Sequence, residues 1–313
     1  MEQILSGKEI NINMDSDGIL SFLFLLSGGF KNGINGFTNS RELILSTEPD
    51  IESVWNNTAF IDIYTPKEFV KSVDQHIIHT HKQVINKNKL NPHINIEPHY
   101  GCSPSYRTKY PYSTCMFILS ILERDGYITK NMNLTKPLIG KNKSLHNITL
   151  CDLILRADGV LDNAREDKYR ENCKNWARKT YNFSKHGINT KEILSYLFLL
   201  NQNELIEKND IIEQFYLDYG LTKDGGYNYK IRIEDNISLI MDIMRAFARH
   251  LDIELKQTSK TFNVYKGIPH RKEIKNDIGF EQFDTYAFIA KNKISYTTDF
   301  SYTGNKIESK IFE

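Results

Sequence analysis

Residues 9–26 read EININMDSDGILSFLFLL. From Glu9 to Met14 apolar and polar residues alternate, which is the period-two pattern of a strand. Asp15, Ser16, Asp17 and Gly18 then make an acidic turn. Ile19–Leu26 follows as an apolar run suited to a buried helix. A strand that stops at an acidic turn and feeds a buried helix is the opening step of an α/β fold.

Working outward, Leu43–Leu45 and Ala59–Ile63 read as further short buried strands. The stretches between them, NGINGFTNS (residues 32–40) and PDIESVWNN (residues 49–57), read as turn-rich connections. Pro66 suits the first turn of a short helical stretch, after which Val73-Asp74-Gln75-His76-Ile77 forms a third acidic strand end. Ser113–Glu123 (STCMFILSILE) predicts an apolar helix that stops near Gly126, and a second helix is predicted from Leu150 to about Val160. The charged segment NAREDKYRENCKNWARK (residues 163–179) has helical spacing and reads as a solvated connector. Beyond it, residues 191–200 and 237–251 predict helices, and residues 261–265, 286–290 and 294–298 predict strands. The expected class is α/β: a mostly parallel sheet with flanking helices in an N-terminal lobe, and a smaller mixed α+β C-terminal lobe. The expected divisions are 1–165, a helical connector at 166–185, and 186–313.

Composition narrows the function. The 313 residues carry 40 Lys plus Arg against 39 Asp plus Glu, a net charge of +1, with no long run of one sign. Binding to long nucleic acid by charge alone is therefore not indicated, whereas a small anionic ligand is compatible. The four cysteines, at 102, 115, 151 and 173, form no C-x-x-C pair and read as free thiols in a reducing compartment. MEQILSGKEI lacks the basic start and apolar core of a signal peptide, and no run approaches 18 apolar residues, so the expectation is a cytoplasmic protein with no membrane partner. Neither a P-loop, nor a G-x-G-x-x-G, nor a G-x-S-x-G element is present. His146 and His186 lie near polar loops with no carboxylate partner at ligand spacing, His250 reads as a surface or helix-end residue, and none is assigned a site role.

The carboxyl ends of strands in an open α/β sheet share one edge, so acids distant in sequence can converge there. Asp15 and Asp17, Asp62, and Asp74 with His76 each stand at such an end. Clustered carboxylates repel one another unless a divalent cation neutralises them, and Mg²⁺ or Mn²⁺ favours oxygen donors with some imidazole.

These segments resemble the DHH phosphoesterase family. NMDSDGILSFLFL is similar to its first motif through Asp15, Asp17, Gly18 and Ser21; AFID, ending in Asp62, is similar to the second; VDQH, beginning twelve residues after Asp62 at Asp74, is similar to the third. The chain departs from the pattern at Gln75, where the family has its middle histidine, and at Asn11, where many members have a histidine. His79 and His81 are alternative ligands. The fourth motif falls in LCDLILRADGVLDNA, with Asp158 as the candidate and Asp152 and Asp162 as rivals. Asp224-Gly225-Gly226-Tyr227 lacks the histidine of the family's C-terminal G-G-G-H motif.

The resemblance implies a hydrolase using one or two Mn²⁺ or Mg²⁺ ions. Asp15, Asp17, Asp62, Asp74, His76 and Asp158 would be the ligands, Asp62 the natural bridge, and Asp62 with His76 the catalytic pair. The implied partner is a small phosphorylated substrate, with pyrophosphate, polyphosphate, cyclic dinucleotides, short oligonucleotides and single-stranded DNA as family substrates. Ser103, Ser105, Arg107, Lys109 and Tyr110 form a polar, cationic and aromatic loop suited to a phosphate and a stacked base. Residues 266–272 concentrate basic groups, His270 and Arg271 among them, near Tyr286, Tyr296 and Tyr302. Two rival readings remain. One is a catalytically degenerate protein that binds a nucleotide or a partner, motivated by Gln75. The other is a haloacid-dehalogenase-like phosphatase with Asp15 as nucleophile and Asp17 as acid/base.

Overall fold

Glu9–Asn13 forms strand β1, which has parallel neighbours on both sides: β2 (Ile34–Thr38) and β4 (Thr58–Ile61). Parallel pairing continues outward from β4 to β5 (Lys71–Val73) and β6 (Lys89–Leu90). On the other flank β3 (Glu42–Leu45) runs antiparallel to β2, and β11 (Asn263–Glu273), β13 (Lys306–Phe312) and β12 (Ile294–Phe300) add antiparallel strands in that order. The nine-stranded sheet is ordered β12-β13-β11-β3-β2-β1-β4-β5-β6. The structure is a computed structural model. It describes residues 1–38, 42–46, 51–63, 69–75, 87–97, 109–139, 145–157, 160, 166–219, 222–223, 229–230, 237–255, 262–273, 294–300 and 306–312.

The chain forms two compact units that interleave in sequence: residues 1–13, 32–109 and 259–313 make the first, and residues 14–31 and 110–258 make the second. The fold is the α/β arrangement expected. β11 pairs with β3 from Asn263↔Leu45 to Lys266↔Glu42, within the first unit, and so joins the C-terminal strands to the N-terminal sheet.

In the first unit, Ile10 and Ile12 of β1 are fully buried, and so is Asn11 between them. Leu45, Val54, Trp55, Phe60, Ile63 and Val70 form an apolar cluster that seats the helix α3 (Ile51–Asn57) against β4. The helices α1 (Glu2–Leu5) and α4 (Pro92–Asn95) complete this unit; Pro92 sits at the first position of α4, where its missing N–H is not needed, and Asn91 caps it.

The expected turn at 32–40 is in part the strand β2, and the reason is Gly36. A Cβ there would stand 2.1 Å from the Ile44 carbonyl oxygen and 2.9 Å from Leu45 Cδ2. Glycine in this segment marks a close approach of two backbones rather than a turn. Likewise the basic cluster at 266–272 lies within β11, not after a strand. Among the described residues, 267–273 pair only with β13, and Pro269 is tolerated on a strand with one open side.

The second unit is mostly helical. Its central helix, α2 (Ser16–Ser27), has ten of twelve residues buried, the signature of a helix enclosed on all sides. It packs on α5 (Thr114–Arg124) and α10 (Ile237–His250), and further helices α6 (Leu150–Arg156), α7 (Asp167–Phe183), α8 (Ile188–Leu199) and α9 (Gln202–Asp218) surround them. Two short hairpins, β7 (Pro137–Ile139) with β8 (Leu145–Thr149) and β9 (Thr222–Lys223) with β10 (Tyr229–Lys230), belong here. The segment expected as a solvated connector is α7, and it is one-sided. Tyr169, Cys173, Trp176 and Thr180, at helical spacing, are buried, and the charged residues occupy the other face. α9 had no counterpart in the sequence reading, although Asn201 and Glu204 form a capping box at its start.

The Gly36 contact makes a direct prediction. Gly36→Ala should destabilise the protein by about 2–3 kcal/mol, the range of an overpacked site. Gly33→Ala, whose Cβ would meet only Glu9 Oε1 at 3.5 Å, should change stability little. Urea midpoints at constant m-value separate the two.

Candidate functional site

Among the described residues, each of the five parallel strands ends in a polar residue or is followed at once by one. Thr38 closes β2 and Asn13 closes β1; Asp62, Asp74 and Asn91 immediately follow β4, β5 and β6. Thr38, Asp62, Asp74 and Asn91 are buried and Asn13 is half-buried. From β1 the chain goes to β2 on one side and later returns to β4 on the other. The carboxyl ends of β1 and β4 therefore form the topological switch point, where open α/β sheets bind ligands.

The two residues at that point touch: Asn13 Nδ2 donates to Asp62 Oδ2 at 3.0 Å. Asp62 has φ of +59°, the left-handed region that costs an ordinary L-residue about 1–2 kcal/mol and that Asp tolerates better than most. Its amide still donates to the Val73 carbonyl at 2.9 Å, so the turn begins with the main chain tied to β5. Next along the edge, the Asp74 amide donates to the Leu90 carbonyl at 3.1 Å, and the Asp74 carbonyl accepts from Asn91 Nδ2 at 2.7 Å. Gln75 is buried beside it. Asn11, two residues before Asn13 on β1, is fully buried and its side-chain amide meets no hydrogen-bond partner among the described residues.

Asp15 and Asp17 belong to the second unit, at the start of α2. Asp15 caps the helix, its Oδ1 accepting from the Gly18 amide at 3.0 Å. Asp17 turns to α5: its Oδ2 accepts from the Thr114 amide at 2.8 Å and its Oδ1 from the Cys115 amide at 2.7 Å. Two orphan donors of a helix N-terminus are thus satisfied by a carboxylate 97 or more residues away in sequence. Burial pushes Asp17 up to about 7, and repulsion from Asp15 adds to this, against the pull of the Cys115 and Thr114 amides.

Around the same helix start lie two residues that the sequence reading did not single out. Tyr216 of α9 is buried, and burial raises its hydroxyl above the ordinary value; Ser16 and the Arg156 guanidinium oppose that rise, while Asp15 and Cys115 add to it. Arg156, the last residue of α6, is itself buried. A guanidinium stays charged in such a place, so it offsets the negative charge of the Asp15 region. The available signals were a lone cation closing the apolar run LCDLIL and the helical period of residues 202–218.

Asp152, a rival for the fourth motif, is committed to a capping box with Thr149; it also accepts from the Tyr196 hydroxyl at 2.5 Å and faces Lys208 Nζ at 3.6 Å. Tyr110 is in the core rather than at a surface for base stacking. It is fully buried with its ring edge-on to Tyr112 and Trp176, at 5.4 and 5.3 Å between centroids. Lys109 is half-buried. His270 and Arg271 sit in β11 opposite Ser309 and Glu308 of β13. His76, His79, His81, Ser103, Ser105, Arg107, Asp158, Asp162, residues 224–227, Tyr286 and Tyr302 lie outside the described residues. Cys115, Cys151 and Cys173 are buried free thiols, and burial pushes Cys173 up to about 12.

Among the described residues no three His, Cys, Asp or Glu side chains group at ligating separations. The first-unit edge instead offers two carboxylates, Asp62 and Asp74, which follow the neighbouring parallel strands β4 and β5. That donor set suits a hard cation such as Mg²⁺, which takes one or two carboxylates and keeps several waters. No helix of the described residues is long and apolar enough to cross a membrane. Comparison with protein-family models, curated proteins and solved structures finds no match.

The Asp17 site predicts a pH effect in metal-free protein. Its carboxyl titrates higher folded than unfolded, so between about pH 4 and 7 the folded state holds more protons. Stability therefore falls as pH rises across that window, by at most about 1.4 kcal/mol per pH unit from this group. Asp17→Asn should flatten this slope in urea titrations from pH 4 to 7, and should cost about 1–3 kcal/mol at pH 4 through loss of one amide acceptor.

Proposed function

We propose that the chain is a metal-dependent phosphoesterase that hydrolyses a phosphodiester or phosphoanhydride of a nucleotide or short oligonucleotide, with Mn²⁺ or Mg²⁺ held at the carboxyl ends of β1 and β4. The observation that carries the reading is Asp62: a buried carboxylate at the switch point of a mostly parallel sheet, its backbone left-handed and one oxygen bound by Asn13. Strained backbone at a ligand-binding edge is a feature of functional sites. The order of the D-x-D-G, Asp62 and D-Q-H segments, which resembles DHH phosphoesterases, gives the same assignment.

In this reading Asp62 and Asp74, which follow neighbouring strands of the first unit, hold the cation. The resemblance to DHH phosphoesterases implies Asp15, His76 and Asp158 as further ligands, with His76 on the metal or on the scissile phosphate. Asp17 serves indirectly, by fixing the N-terminus of α5 through its two amide bonds. A divalent cation supplies charge neutralisation at the phosphoryl oxygens and acidifies a water to act as nucleophile. The water oxygen would bond to phosphorus as the bond to the leaving oxygen breaks, and the proton the water gives up would pass, directly or through solvent, to the leaving oxygen. The substrate is anionic and small, in keeping with the near-zero net charge. Cytoplasmic placement belongs to the same proposal.

A second reading is favoured by Gln75, which is buried next to Asp74 where the family has an imidazole. A carboxamide neither titrates near neutrality nor binds transition metals well. On that ground the same edge would bind a nucleotide without turning it over.

Purified protein with Mn²⁺ should hydrolyse at least one of pyrophosphate, a cyclic dinucleotide, a dinucleotide or a p-nitrophenyl phosphodiester. Asp62→Ala should lower kcat/KM by about 10³-fold, or about 4 kcal/mol of transition-state stabilisation. Saturable binding of one of these ligands with no turnover by the wild type supports the binding reading. Turnover unchanged in Asp62→Ala contradicts both.

A further inference from the structure

We infer that Asn13 is a positioning residue for Asp62: its carboxamide fixes the rotation of the Asp62 carboxylate and thereby sets which oxygen is turned toward a bound cation. The inference rests on the proposed metal role of Asp62 and adds a residue to it. Asp62 is held from two strands at once. Its amide is tied to the Val73 carbonyl of β5 at 2.9 Å, and its Oδ2 accepts from Asn13 Nδ2 of β1 at 3.0 Å. With φ at +59°, the backbone turns out of the strand at this residue, so the side chain cannot be oriented by the strand's own alternation. The Asn13 contact supplies that orientation.

The chemistry of the donor matters. A carboxylate carries two equivalent oxygens on a broad, two-fold terminal torsion, so one hydrogen bond is enough to distinguish them. Lysine or arginine in place of Asn13 would make a stronger bond but would neutralise Asp62 and repel a cation. A neutral amide leaves the negative charge in place. This is the usual role of groups behind a metal ligand, which fix its direction rather than bind the metal. Asn13 is itself fixed, since its residue pairs with Thr38 on β2 and the preceding Ile12 is buried and paired with Ile61.

The test is Mn²⁺ binding to the full chain, read by calorimetry and by the electron paramagnetic resonance spectrum of the bound ion, for wild type, Asn13→Ala, Asn13→Leu and Asp62→Ala. Circular dichroism and melting of the metal-free proteins report folding separately. The expected result is a 10–100-fold weaker Mn²⁺ affinity in both Asn13 variants, of the order found for groups behind metal ligands. The bound-ion spectrum should also be altered, and Asp62→Ala should show no saturable binding. Wild-type affinity and spectrum in Asn13→Leu, or in Asn13→Ala should the leucine variant misfold, would overturn the Asn13 role while leaving Asp62 as a ligand. Absence of saturable Mn²⁺ binding in the wild type would overturn the metal reading and this inference together.

Discussion

Parallel pairing of β1 with β2 on one side and with β4 on the other is the constraint on which the candidate site depends. Parallel strands bring their carboxyl ends to one edge whatever their distance in sequence, and the return of the chain across β1 opens a switch point there. Asn13 and Asp62, 49 residues apart, meet at that point because Ile12 and Ile61 are register partners one step earlier. The apolar residues of these strands supply the burial that holds them together, and β4 is buried along its whole length.

The second unit shows the same economy of carboxylates. Asp15 caps the helix that it begins, and Asp17 caps a different helix, α5. A D-x-D pattern at a helix start therefore has two distinct structural duties before any metal is considered. Asp17 is the more constrained of the two. It is buried and accepts two amide hydrogen bonds, and its proton affinity is raised by its surroundings.

Much of this organisation is legible in the sequence. The alternation of Glu9–Met14 identifies β1, the apolar run after Gly18 identifies α2, and the apolar stretch STCMFILSILE identifies α5. Asp62 is recognisable as a strand end because the apolar run Ala59–Ile61 precedes it, and Asp74 through its place in the V-D-Q-H segment. What the sequence conceals follows from physical causes. Gly36 reads as a turn residue, but here it lets two backbones approach. The charged composition of α7 hides a buried stripe of Tyr169, Cys173 and Trp176. The joining of β11 to β3 is a long-range pairing that no local pattern encodes. Asn13 has no sequence signal, because an asparagine on an alternating strand looks like an ordinary polar position, and its partner Asp62 comes beside it only once β1 and β4 are adjacent. Arg156 and Tyr216 come together with the start of α2 through tertiary packing alone.

The account turns on whether Asp62 faces a cation at the carboxyl ends of β1 and β4. Anomalous diffraction from crystals grown with Mn²⁺ tests this most directly. The predicted result is a peak with an Asp62 carboxylate oxygen at about 2.1–2.2 Å, close to the octahedral distances of small hard cations, and with Asn13 still bonded to the other oxygen. A well-ordered edge with no peak, or with Mn²⁺ bound only elsewhere in the molecule, would contradict it.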